Sequence, residues 1–167
     1  MDKGSLPPGV PTAVPTIDSL DNRPNYLLGI IGGVIAMLVG AIIWGLISYF
    51  TEYQIGWMSI GVGALVGFTI QKLSKGNSIT FGIIAGLLSL VGCLLGNLFF
   101  YCGAIAREYG VDFFEVLFTF LGDPETLFEL FKTAFSYMDL LFYVIAIYTG
   151  FRTAFKRPVS QTTPKTE

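Results

Sequence analysis

Between Tyr53 and Asn77 the chain reads Tyr-Gln-Ile-Gly-Trp-Met-Ser-Ile-Gly-Val-Gly-Ala-Leu-Val-Gly-Phe-Thr-Ile-Gln-Lys-Leu-Ser-Lys-Gly-Asn. It opens with residues suited to a water–hydrocarbon boundary, runs apolar from Ile55 to Ile70, and closes on Lys72 and Lys75. No other feature constrains the fold as much, because in lipid a lone segment satisfies its backbone polar groups only as a helix. The lysines at its end give that helix a direction.

Blocks of the same kind recur. Of 167 residues 53% are hydrophobic and 13% charged, against about 25% charged in an ordinary soluble domain. Four crossing helices are expected, over about 26–50, 55–71, 79–101 and 138–155, forming an all-α integral membrane four-helix bundle. Residues 1–25, with Pro7, Pro8, Pro11, Pro15 and Pro24, read as a disordered Pro-rich cytoplasmic arm. Residues 156–167 read as a disordered cytoplasmic tail. The first apolar block is too long for a signal-peptide core and lacks a cleavage pattern, so it is expected to remain as a span. Trp44, Tyr49 and Tyr53 near its far end suit interface anchors.

Small residues recur every fourth position, which stacks them on one helix stripe and lets another helix come close. Gly29 pairs with Gly33, and Gly32 leads through Ala36 to Gly40. Ser59, Gly63 and Gly67 follow in the second span; Gly82 with Gly86 and Gly92 with Gly96 do so in the third. Ala85, Ser89, Cys93 and Asn97 form a parallel ladder that turns polar. Fifteen of the 20 glycines fall between Gly29 and Gly103. Gly61, Gly63 and Gly67 do not make a dinucleotide loop: the spacing is wrong and no strand precedes them.

From Arg107 to Tyr137 polar residues return while phenylalanine stays dense. Asp112 can cap a helix over about 112–121 that Gly122 ends. Asp123-Pro124-Glu125 starts a second one, to about residue 136, with an N-cap acid and a proline in the first turn. Both are too short and too polar to cross. They are expected to be interfacial amphipathic helices between spans three and four.

With the Lys72/Lys75 loop inside the cell, both tails fall there too. Eight of the 10 Lys and Arg residues are then internal, leaving Arg107 and Lys132 outside. The positive-inside rule favours this N-in/C-in arrangement.

Chemistry-bearing groups are scarce. Histidine is absent and the net charge is -2. Nothing suggests a nucleic-acid partner, a metal site, a cofactor or a catalytic constellation, so no enzyme is expected. Cys93 and Cys102, about half a helical turn out of phase, read as packing residues. The candidate site is an outer polar cluster of Glu52, Gln54, Asn97, Arg107 and Asp139, with Arg107 paired to Glu52 or Asp139, since an isolated charge there is costly. The alternative is a set of separate interfacial residues, with Asp139 capping its helix and Asn97 joining two helices.

The stretches Tyr-Gln-Ile-Gly-Trp-Met-Ser-Ile-Gly-Val-Gly-Ala-Leu-Val-Gly (53–67) and Met-Asp-Leu-Leu-Phe-Tyr-Val-Ile-Ala-Ile-Tyr-Thr-Gly-Phe-Arg (138–152) resemble those of a group of small uncharacterised bacterial multi-span proteins. The resemblance implies a bacterial inner-membrane protein and carries no activity with it. From the residues, the expected role is a packing or accessory subunit that meets the lipid bilayer and other membrane subunits or copies of itself. Small-solute or ion transport by a homo-oligomer is the alternative, and lipid or curvature sensing a third.

Overall fold

A computed structural model describes residues 25–53, 56–74, 78–134 and 136–155. Among them are six helices and no strand: α1 (Tyr26–Thr51), α2 (Met58–Ser74), α3 (Ile79–Tyr109), α4 (Phe113–Gly122), α5 (Pro124–Ala134) and α6 (Tyr137–Ala154). The tail over 156–167, all of the Pro-rich arm but Asn25, and also Gln54 and Lys75, lie outside the described residues.

Local chemistry explains the boundaries. α1 stops at Glu52, which turns left-handed at φ 59°. α2 starts later than the apolar run, at Met58, because a turn closes first, with Ser59 N–H donating to the Gly56 carbonyl at 3.1 Å. The Ser78 hydroxyl caps α3 by accepting from Thr80 N–H at 3.3 Å. α3 continues through Tyr109 instead of ending near Tyr101, since Ala104, Ile105 and Ala106 propagate a helix well. It ends where Gly110 takes φ 67°, a conformation glycine adopts without strain. α5 is shorter than expected, because Asp123 stays outside as its cap and Ser136 already caps the next helix.

α1 has 26 residues and α3 has 31, and both are long and apolar enough to cross a membrane. At 1.5 Å per residue they measure roughly 39 and 46 Å, more than ~30 Å of hydrocarbon. α2, with 17 residues, is shorter. α6 meets the criterion only together with α5, across a bend of 104°.

α1, α2, α3 and α6 pack together and alternate in direction. At one end Asn25 N–H donates to the Ser74 carbonyl at 2.9 Å and the Tyr26 ring stacks on Phe81 with centroids 4.7 Å apart. At the other, Arg107 meets Glu52 and Tyr49. α1 and α6 sit on opposite sides of the α2–α3 pair.

α1 turns mostly small residues inward and large ones outward. On α1 the buried residues include Gly29, Gly33, Ala36, Gly40, Ala41, Gly45 and Ser48, while Leu27, Ile31, Ile35, Leu38, Ile42 and Leu46 are exposed. Met37 and Trp44 are the large buried residues of α1, and Trp44 lies in the core against Gly96, at 1% exposure, and not at a boundary as its position near the span end suggested. A separate cluster of Leu98, Cys102, Val116 and Phe120 fastens α4 to the far end of α3, with Leu127, Leu130 and Phe131 of α5 packed beside it. Cys93 and Cys102 are both buried and free, in different clusters.

Candidate functional site

Helices approach backbone to backbone where α6 lies between α2 and α3. A Cβ on Gly63 would sit 2.6 Å from the Ala146 carbonyl oxygen, and one on Gly67 2.6 Å from that of Gly150. Across the other flank, a Cβ on Gly86 would be 3.2 Å from the Ile147 carbonyl, and one on Gly82 2.8 Å from the Phe151 ring. Backbone thus meets backbone, as helices pack where lipid offers no hydrophobic drive. The α6 side of this contact is Ala146, Gly150 and Ala154, all buried. Sequence reasoning passed over that ladder because aromatic residues surround it; the same four-residue rule would have found it.

The other glycines with a packing role are distributed over the α1–α2, α2–α3 and α1–α3 interfaces. Gly29 and Gly33 of α1 face Ser74 and Ile70 of α2. Gly92 and Gly96 of α3 receive Val62 and Trp44. Gly40 is roomier, with Val62 3.4 Å from where its Cβ would be.

The five expected polar residues separate into distinct contacts. Arg107 Nη1 donates to Glu52 Oε1, Nη2 donates to the Tyr49 carbonyl at 3.1 Å, and the guanidinium lies 4.3 Å from the centre of the Tyr49 ring. Asn97 is buried and its Nδ2 donates to the Tyr143 hydroxyl at 2.6 Å. Asp139 Oδ2 accepts from Ser136 N–H at 3.0 Å, the reciprocal half of a capping box at the start of α6. Gln54 lies outside the described residues. Tyr143, which no sequence argument singled out, is the partner that buried Asn97 required.

Two recesses accompany these contacts. The first, about 270 Å³, lies between the end of α1 and the extension of α3, lined by Tyr49, Glu52, Phe100, Ala104, Arg107 and Glu108. Glu52 is notable there because a non-glycine residue in the left-handed region costs about 1–2 kcal/mol, and glycine is the usual occupant of that helix-end position. The second, about 380 Å³, is an almost wholly apolar groove along α3 and α6 whose walls include Gly82, Gly86, Leu87, Val144 and Ile147. Among the described residues no three His, Cys, Asp or Glu side chains are grouped as metal ligands would be.

Among the described residues these features define an all-helical protein with two helices suited to crossing a membrane, a glycine-lined seam, and a charged recess where α1 and α3 end. Compared with known protein families, curated proteins and solved structures, the chain matches none.

Proposed function

We propose that this chain is a small bacterial inner-membrane protein whose α1, α2, α3 and α6 all cross the bilayer, with both tails in the cytoplasm. Its role is that of a packing or accessory subunit in a larger membrane complex. The inverted packing supports a lipid setting: Leu and Ile outward on α1, glycine and alanine inward. In water such an apolar surface would drive aggregation; in lipid it costs nothing. The orientation rests on the sequence count of Lys and Arg, eight of 10 falling with the Lys72 end and the two tails and only Arg107 and Lys132 at the other. α4 and α5 would lie along the outer interface, with Phe114, Phe118 and Phe128 exposed.

The observation that carries the subunit role is the open groove on α3 and α6. It is apolar along its length and floored by Gly82 and Gly86, as suits an apolar helix of a partner subunit. Gentle detergent extraction at native expression, followed by native electrophoresis and mass spectrometry, tests this. Co-migration with another membrane protein supports it, and migration alone at monomer mass overturns it.

A second reading, conduction by a homo-oligomer, draws on Trp44 Nε1, Ser48 Oγ and Ser59 Oγ, which are buried without a hydrogen-bond partner among the described residues. Liposome flux that depends on Asn97 and Asp139 would favour it over the subunit role.

A further inference from the structure

We propose that the recess at the end of α1 and α3 binds the head group of a phospholipid carrying a primary amine, of the phosphoethanolamine type. The inference uses the membrane setting just described but not the subunit role.

The recess sits where a head group would be. Its walls change from Phe100 and Ala104, on the part of α3 nearer the span, to Arg107 and Glu108 on the extension beyond it. At about 270 Å³ it falls just below the range of pockets for drug-sized ligands, which suits a small polar head.

The charges then select among head groups. One cation, Arg107, stands with two carboxylates, Glu52 and Glu108. Arg107 already donates to Glu52 and to the Tyr49 carbonyl, but a guanidinium has five N–H donors and this side chain is 43% exposed. It therefore retains donors for a phosphate oxygen. A plain anion would meet two carboxylates and gain little. A zwitterion can place its phosphate on Arg107 and its ammonium on Glu52 and Glu108, leaving every charge opposed. A choline head group fits less well on two counts: it has no N–H to donate, and the Tyr49 face that could hold a quaternary ammonium carries the Arg107 guanidinium instead. The left-handed Glu52 is consistent with this use, because glycine at that position would supply no carboxylate.

Native mass spectrometry of the purified full-length chain tests the proposal, using phosphatidylethanolamine, phosphatidylcholine and phosphatidylglycerol with matched acyl chains. The expected result is retention of the ethanolamine lipid at about fivefold lower concentration than either other lipid, the ratio one exposed ion pair supports. Arg107→Gln should bring it down to the level of the others. Glu108→Gln should abolish the ethanolamine-over-choline preference, and this exposed position gives a readout even if the Arg107 variant fails to fold. Free phosphoethanolamine should compete at high concentration and inorganic phosphate should not. Equal retention of all three lipids, displacement by inorganic phosphate, or unchanged preference in Glu108→Gln would each overturn the proposal. Carbonate extraction of the wild-type membranes separates the two levels of inference: a chain that stays in the pellet yet shows no lipid preference removes this site alone, whereas a chain released to the supernatant removes the membrane setting and the site together.

Discussion

Asn97 on α3 donates a 2.6 Å hydrogen bond to the hydroxyl of Tyr143 on α6, with both side chains buried. It links two helices that also meet through glycines packed against Ile147, Phe151 and Ser89, and adds a directional element to that interface. An unpaired amide there would cost more than a typical hydrogen bond gains. Asn97→Ala and Tyr143→Phe, singly and together, should give a coupling energy of about 1 kcal/mol in reversible unfolding from micelles. Additive single effects would show that the two groups do not support each other.

The glycine seam makes a graded prediction. Gly67→Ala would place a methyl group 2.6 Å from the Gly150 carbonyl and 2.8 Å from Thr153 Cβ, so α2 and α6 must part. Overpacking of this kind costs typically 1–3 kcal/mol. Gly61→Ala meets nothing within 4 Å and should leave stability unchanged or slightly raised, because alanine favours helix over glycine. Thermal unfolding should therefore rank Gly61→Ala above wild type or level with it, and Gly67→Ala well below. Equal melting temperatures would show that α6 does not approach α2 so closely.

How much of this was legible beforehand depended on whether a feature is local. The four-residue spacing of Gly63 with Gly67 and Gly82 with Gly86 signals a contact stripe from sequence alone, and all four glycines lie against α6. Two caps were readable too, since Asp112 and Asp123 act through neighbours within three residues, whereas Ser136, expected inside the preceding helix, caps α6. Pairings across helices were not. Whether Arg107 meets Glu52 or Asp139 depends on how far α3 extends past the bundle, and α3 runs to Tyr109 because no residue before Gly110 breaks it. The burial of Trp44 was equally hidden: its position suggests a boundary, but Gly96 on α3 opens a slot beside it that only the packed structure reveals.

Glu52 offers a contest between two effects of similar size. Its left-handed backbone, at φ 59°, costs about 1–2 kcal/mol relative to a conformation it prefers. Its ion pair with Arg107, exposed on both sides, contributes about 0.2–1 kcal/mol. Glu52→Gly relieves the first and loses the second, so it should be at least as stable as the parent. Glu52→Ala loses the pair and keeps the strain, and should fall about 1 kcal/mol below Glu52→Gly. Unfolding midpoints of the three proteins settle the order. An alanine variant that matches the glycine one would mean that position 52 is not held left-handed.

Asp123 gives the protein a pH-dependent helix end. Its Oδ2 accepts from the Thr126 hydroxyl at 2.5 Å and its Oδ1 from Glu125 N–H at 3.1 Å and Thr126 N–H at 3.4 Å. These bonds, that from the Thr126 hydroxyl first, favour the carboxylate and hold its pKa below the ordinary 3.8. The sign follows from linkage: a group depressed in the folded state contributes fully above its unfolded pKa and loses that contribution as pH falls through the folded value. Capping of α5 should thus be constant down to about pH 4 and weaken below it. Amide exchange should show this as faster exchange at Glu125, Thr126 and Leu127, after correction for intrinsic rates. The Ser78-capped start of α3, which has no titrating cap, supplies the control. Asp123→Asn should retain most of the capping and abolish the pH response, so a variant that still responds would assign the effect to another acid.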